Sequence, residues 1–429
     1  MMSSKKKVLI ITYYWPPAGG PGVQRWLKFS KYLRDYDIEP VIYTIDNPTY
    51  PILDSSSEND IPQGIEVLKQ PIFELNSILS FFGVHNKKES AGFLNPKPTL
   101  FGKMIQYIRA NFFIPDARKF WIQPSVKFLS NYLKNHKIDA IISTGPPHSV
   151  HLIGLKLKKQ LGIRWISDFR DPWTEIDYFK QLPLTKKATN KHHQLEQEVL
   201  VNSDMTIVVG ETMKQRYLKY TSSIEVITNG FDTIQNSLPQ KLDSNFSITH
   251  VGSMNSDRNP QILWDVLKEI CDSNSDFKKD LRIKFIGKID DSVLHDVKVF
   301  DQKTIIRIPY VDHKDVNSYQ VSSQVLLLSI NNVPSAKGII TGKIFEYLQA
   351  KRPILAIGPE DGDAAIILKN TNAGEIVDFK NKKTLKALII DFYNTYKEGN
   401  LHVKSDNINQ YHRKNITSQL AEVIKKVVY

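Results

Sequence analysis

The sequence predicts an α/β protein built as two doubly wound, parallel-sheet domains. Three observations carry this. Short strands of continuous apolar character alternate with helical stretches of apolar periodicity. The alternation stops at Asn229-Gly230 and a polar stretch running to Ser244, then restarts. A chain of 429 residues also exceeds what one core ordinarily organises.

The first half begins with the strand KVLIIT, a Pro/Gly loop, a periodic stretch through Val23, Trp26, Leu27, Ser30 and Leu33, and the strand PVIYTI, which together make a βαβ unit. A helical pattern around Val126, Leu129 and Leu133 leads to the strand DAIIST, the helix HSVHLIGLKLKKQLG and the strand RWIS. A helix rich in Glu and His near 188–202, the strand MTIVV, a helix after Glu211 and the strand EVIT complete it. The second half reads as SITHVGS, PQILWDVLKEI, LRIKFIG, TIIRIPY, KDVNSYQVSS, VLLLSI, GKIFEYLQA and PILAIG, again strands and helices in turn. The boundary is expected near residue 235, giving domains 1–235 and 236–407, and a last helix at 408–429 that either domain could hold. A cleft between the two, at the carboxyl ends of their strands, is the expected ligand site.

Composition narrows the class. With 41% apolar and 24% charged residues the chain can bury large cores. A single cysteine, Cys271, excludes an intramolecular disulfide framework and any multi-cysteine metal site. No apolar run approaches the roughly 20 residues of a membrane span. The opening KKKVLIITYYWPP reads as a first strand rather than a signal peptide, because Pro16-Pro17 end its short apolar region. The net charge of +12 is uneven: residues 101–200 hold 16 Lys and Arg against 8 Asp and Glu. That surface suits an anionic partner or simple solvation. FGKMIQYIRANFFI places Phe101, Met104, Ile105, Ile108 and Phe112 on one face, either a membrane-surface helix or a core-packed one. Neither aromatic–basic interleaving on a sheet face nor a reading helix for nucleic acid is present.

The loops at strand ends carry the polar chemistry. PPAGGPGVQR places Gly19, Gly20 and Gly22 between a strand and a helix, where exposed amides make a cradle for an anion or polar ligand, or simply a tight turn. A dinucleotide fingerprint would need a small residue at Arg25, which argues against NAD(P). In TGKIFEY, Thr341 is placed to cap a helix in which Gly342 opens the first turn and Lys343 and Glu346 share a face. The lysine suits a phosphate and the carboxylate a ribose diol, the alternative being an exposed ion pair. Arg258, in the loop VGSMNSDRNP, is a second cation for a diphosphate. GPPHS and SDFRDPW bring His148, Asp168, Arg170 and Asp171 to strand ends, where they line a ligand or only cap turns. His192-His193 with Glu196 is a weak metal motif that a solvated helix face explains better.

Taken in order, KVLIITYYWPPAGG, TIVVG, EVITNGFD, HVGSMNSDRNP, YVDHKDVNSYQVSSQVLLLS and GKIFEYLQAKRPILAIG resemble the retaining GT-B glycosyltransferases of glycosyltransferase family 4, over nearly the whole chain. The resemblance implies two Rossmann-like domains, an amino domain for the acceptor, a carboxyl domain for a nucleotide-diphosphate sugar, and a last helix crossing back onto the first domain. It assigns Glu346 to the ribose, Lys343 and Arg258 to the diphosphate, Gly19 and Gly20 to the donor phosphate or sugar, and Asp168, Asp171 or His148 to the acceptor side. It implies transfer with retention, without metal or cofactor, to a glycan acceptor; the basic surface and the amphipathic helix suit a lipid-linked glycan, a soluble acceptor being the alternative. That would be a step of cell-surface polysaccharide assembly in the cytoplasm or at the inner face of a membrane. One position departs from the family's two-glutamate motif: Gly338 stands where the first Glu belongs. A catalytically silent nucleotide- or lipid-binding protein of the same fold is the alternative this departure motivates.

Overall fold

In the computed structural model the described residues are 5–47, 50, 52–72, 100–232, 241–309, 311 and 313–429. They fall into two compact units, Met1–Asn229 with Arg413–Tyr429, and Gly230–His412. The boundary expected at 235 lies outside the described residues.

The first unit runs β1 (Lys6–Thr12), α1 (Pro21–Tyr32), β2 (Ile38–Ile45), β3 (Glu66–Gln70), α2 (Leu100–Phe112), α3 (Ile122–Asn135), β4 (Ala140–Gly145), α4 (Ser149–Leu161), β5 (Trp165–Phe169), α5 (Lys186–Asn202), β6 (Met205–Val208), α6 (Glu211–Tyr217) and β7 (Ile224–Val226). Its seven strands lie in the order β3-β2-β1-β4-β5-β6-β7, all neighbours parallel. Leu9 sits opposite Val41 on one side and Ile141 on the other. Both faces are covered, as the continuous apolar strands require: Leu9 and Ile11 enter one core, Val8 and Ile10 the other. β3, the half-exposed edge strand EVLKQ, has no continuous apolar run and was not legible from the sequence.

The second unit runs β8 (Phe246–Val251), α7 (Gln261–Ser273), α8 (Ser275–Asp280), β9 (Leu281–Ile286), α9 (Asp291–Asp296), β10 (Ile305–Ile308), α10 (His313–Ser322), β11 (Val325–Ser329), α11 (Lys343–Ala350), β12 (Ile354–Ile357), α12 (Asp363–Thr371), β13 (Gly374–Val377) and α13 (Lys382–Lys397). Its six parallel strands lie in the order β10-β9-β8-β11-β12-β13. Along β11, Val325 and Leu327 face one core while Leu326 and Leu328 face the other. The last helix, α14 (Arg413–Val428), starts later than the sequence pattern suggested, because Ile408–Tyr411 forms a separate 3-10 turn. Ile416, Leu420 and Ile424 of α14 share a core with Val8, Ile10 and Trp26 of the first unit.

Each sheet reverses strand order once, between β1 and β4 and between β8 and β11. Loops diverge at such a switch point and leave a crevice at the carboxyl ends of the strands. In the first unit a buried ion pair fixes the elements around it. Arg25 Nη2 donates to Asp168 Oδ1 at 2.8 Å, both side chains being essentially inaccessible. Trp26 Nε1 and Thr144 Oγ1 donate to Asp168 Oδ2 at 2.7 and 2.8 Å. Arg25 also donates to the carbonyls of Ile227 and Thr228 at 2.8 and 2.9 Å and to Asn229 Oδ1 at 3.1 Å. One ion pair thereby ties α1, β4, β5 and the chain beyond β7.

Burial would raise the Asp168 pKa, but the Arg25 guanidinium and the hydrogen bonds outweigh it and hold the carboxyl below its ordinary value. Its stabilising contribution is complete above about pH 4 and is lost as the pH falls toward the folded-state value. Asp168→Ala, which strands a buried guanidinium, is expected to cost about 3–5 kcal/mol in denaturant unfolding. The double variant Arg25→Met/Asp168→Leu should lose less than the sum of the singles, and strict additivity would sink this account.

Candidate functional site

In the second unit the switch point gathers two cations. The chain leaves β8 through Gly252, whose φ of +95° is a glycine conformation. A Cβ there would lie 2.6 Å from Lys343 Cε, so the glycine also makes room for the lysine. At Gly287 after β9, with φ +118°, a Cβ would likewise lie 2.8 Å from Gly252 O. Lys343, the first residue of α11, reaches over this turn, and its Nζ donates to Ser253 O at 3.4 Å. Arg258 Nη1 donates to the same carbonyl at 3.4 Å, while its Nε donates to Asn331 Oδ1 at 2.7 Å. His250 Nε2 is also 3.4 Å from Ser253 O, and burial with the charges of Lys343 and Arg258 pushes its pKa down to about 3. A neutral imidazole under the two cations adds no third positive charge.

Lys343 itself is depressed to about 7, first by burial and then by Arg258, with Glu346 opposing. Glu346, one turn on, accepts from Gln320 Nε2 at 2.9 Å. The structure thus directs Lys343 to the β8 turn and Glu346 to α10, rather than leaving them as a solvated pair. The Thr341 cap does not form: Gly342 is the N-cap residue of α11, with no side-chain cap, and Thr341 serves through its carbonyl, which accepts from Ile344 N at 3.1 Å. Thr341 Oγ1 and Asn255 Oδ1 are buried with no hydrogen-bond partner. Orphaned polar atoms of this kind suit a polar ligand.

In the first unit the glycine loop opens α1. Gly20, at φ +91°, is its N-cap residue, with no side-chain cap and no acid in the first turn. The Gly19 amide is already committed, donating to Ile52 O at 2.9 Å, so of the two glycines Gly20 keeps the open approach. A Cβ on Gly22 would meet the Arg170 guanidinium at 2.4 Å, placing a cation against the same helix start. Asp168 is in β5, not in a loop, and its carboxylate is consumed by Arg25, which withdraws it from acid/base work. Asp171 is accessible, 3.5 Å from Arg170 Nε.

His148 is buried at the start of α4, its ring stacked on Trp173 at 4.6 Å and 3°. Burial, with His151, His192 and Arg170 near it, drives its pKa well below the ordinary value, so the ring is neutral. Its Nδ1 has no hydrogen-bond partner. Trp173 is held from behind: its Nε1 donates to His192 Nδ1 at 3.0 Å and its N–H to Glu196 Oε1 at 3.2 Å. Glu196 also accepts from Thr174 and from the Tyr217 hydroxyl at 2.7 Å. His192 and Glu196, expected on a solvated face, are therefore buried and brace an aromatic stack, while His193 stays exposed, and among the described residues no His, Cys, Asp and Glu cluster could hold a metal ion. Sequence reasoning missed Arg25, Trp173, Asn331 and Gln320 as parts of these sites. Their only signal was position, on helices or just after strands, and nothing local announced their partners.

Lys343 gives a pH test. Unfolded, it would hold its proton to about pH 10, so between about 7 and 10 the folded state binds fewer protons and this group's contribution improves as pH rises. A bound diphosphate reverses the penalty at lower pH. Pyrophosphate is expected to raise the melting temperature more at about pH 6 than at about pH 8.5, and Lys343→Met to abolish that difference. An equal shift at both pH values in the unsubstituted protein would contradict the assignment.

Residues 92–235 match the family model described as Glycosyltransferase Family 4. No curated protein matches the chain by sequence. Among solved structures, the chain is similar to sucrose-phosphate synthase from Thermosynechococcus elongatus, with a TM-score of 0.62, 11% identity and 98% of each chain covered. It is similar to HepE of Anabaena, solved with UDP-glucose, with a TM-score of 0.59, 12% identity, and 98% of this chain and 99% of that one covered. A Listeria monocytogenes protein designated a UDP-N-acetylglucosamine 2-epimerase gives a TM-score of 0.56 at 12% identity, covering 98% of this chain and 96% of that one. At these identities the likeness is one of fold. The chain has the GT-B fold, and the match over residues 92–235 supports a glycosyltransferase.

Proposed function

We propose that the protein transfers a sugar, with retention, from a nucleotide-diphosphate sugar to a glycan or lipid-linked glycan acceptor. The observation that carries this reading is the meeting of Arg258 and Lys343 at the Ser253 carbonyl, at the switch point of the second unit. Two fixed cations there meet the charge that develops on a diphosphate as the glycosidic bond breaks, and they need no reorganisation when it does. Glu346, held by Gln320, accepts from the ribose hydroxyls. Gly342 and Thr341 supply the start of α11, with the orphaned Thr341 hydroxyl free to take a donor hydrogen bond. Gly20, with Gly19 behind it, lends backbone to the donor phosphate or sugar. The first unit holds the acceptor through His148 and Asp171, and Asp168 acts by fixing the strand ends that carry them. No cofactor or resident metal is part of this scheme. The setting is assembly of a cell-surface polysaccharide in the cytoplasm, at the inner face of a membrane.

Gly338, which supplies no side chain where a sugar contact is expected, favours one other reading: binding without transfer. Thermal unfolding against UDP, GDP, CDP and ADP sugars separates the two. At a hundredfold excess over Kd a donor contributes about 2.7 kcal/mol, a clear shift that Glu346→Ala should remove. With the matching donor and an acceptor, Lys343→Ala and Arg258→Ala are each expected to lower turnover about 10²- to 10³-fold. The product's anomeric configuration, read by NMR, should equal the donor's. A donor shift with no product would establish the silent reading, and isomerisation of the donor without acceptor would replace transfer altogether.

A further inference from the structure

We propose that Asn331 is a positioning residue whose neutral side chain aims Arg258 and leaves its charge to the diphosphate. Asn331 stands just beyond β11 and is buried, at 6% exposure. Its Oδ1 accepts from Arg258 Nε at 2.7 Å. Because Nε only donates, the atom facing it is the amide oxygen, and the partner at this position need only be an acceptor. The two loops are also joined through their backbones: Ser329 Oγ donates to Arg258 O at 2.6 Å, and the Asn332 amide donates to Asp257 O at 2.8 Å. Those two bonds fix where the arginine stands. The bond from Asn331 acts on the side chain, holding its Nε edge while Nη1 reaches Ser253 O, the carbonyl that Lys343 Nζ also meets.

The same chain shows what a carboxylate does on that edge of a guanidinium. Arg25 meets Asp168 through Nε to Oδ2 at 3.3 Å and Nη2 to Oδ1 at 2.8 Å, a two-point fork that neutralises both groups. Asparagine matches aspartate in size and shape, so Asn331 fills the place such a carboxylate would take and withholds the charge. Its oxygen receives the Nε proton, while its amide nitrogen, itself a donor, cannot complete the fork. A carboxylate here would be ionised, since an arginine in contact favours the charged form of an acid by about one to three pKa units. An anion competing for Arg258 would then forfeit a comparable factor, about tenfold at the least.

The inference rests on the reading of Arg258 and Lys343 as the diphosphate site, and pyrophosphate probes both without turnover. The full chain and its variants are titrated calorimetrically with pyrophosphate at about pH 6, where Lys343 holds its proton, and melted without ligand. Asn331→Asp is expected to weaken binding about tenfold or more, while its ligand-free melting temperature stays at or above the parent's because the new carboxylate pairs with Arg258. Asn331→Ala, which removes the acceptor and adds no charge, should weaken binding only about threefold. A residue that merely braced the loop would give the opposite order, with the isosteric aspartate the milder change, and that order would overturn the inference. In the Arg258→Ala background Asn331→Asp should add less than about threefold, because no guanidinium remains to be neutralised. An undiminished loss there would assign the effect to direct repulsion of pyrophosphate and would also overturn it. Parent binding that Arg258→Ala weakens and Asn331→Asp leaves unchanged removes this inference alone. A parent that does not bind pyrophosphate removes the diphosphate reading, and this inference with it.

Discussion

A guanidinium and a carboxylate removed from water together hold the first unit in register. Arg25 comes from α1 and Asp168 from β5, and their partners belong to β4 and to the chain beyond β7. Such a pair recovers its desolvation only when every remaining hydrogen-bonding site is filled. The additional donors from Trp26 and Thr144 fill them on the carboxylate. The strand ends that carry the GPPHS and SDFRDPW loops are therefore fixed by a carboxylate engaged in structural hydrogen bonds. The fixed geometry extends outward through hydrogen bonds and stacking, from Glu196 to Trp173 and from Trp173 to His148.

The second unit works by the opposite arrangement. Its cations are brought to one carbonyl, with burial and mutual repulsion weakening the hold of Lys343 on its proton. Close glycine turns at 252 and 287 permit that approach, because a side chain at either position would occupy the lysine's path or the neighbouring backbone. On the proposed function an anion would relieve that repulsion on binding, which gives a physical reason for the helix to begin with lysine where the dipole alone would favour an acid.

The fold was legible because parallel sheets covered on both faces need strands of continuous apolar character, and KVLIIT, DAIIST and VLLLSI have it. β3 escaped because an edge strand carries no such demand. Lys343, Arg258 and Glu346 could be singled out because each lies just after a strand end or in the first turn of a helix, positions at the carboxyl edge of the sheet. Thr341 misled because capping is decided by backbone dihedrals at Gly342, which residue type alone does not fix.

By itself the sequence determined the class of fold, the alternation that makes two sheets, the basic character of residues 101–200 and the polar residues at the strand ends. Only the tertiary structure decided which of those residues face a partner and which are consumed. Asp168 and Asp171 are three positions apart and equally acidic on paper, yet one is buried against Arg25 and the other remains accessible. Arg25 is 143 residues from its carboxylate, and Glu196 is 23 from the tryptophan it braces. Contacts of that separation are set by how sheets and helices pack, and local sequence carries no record of them.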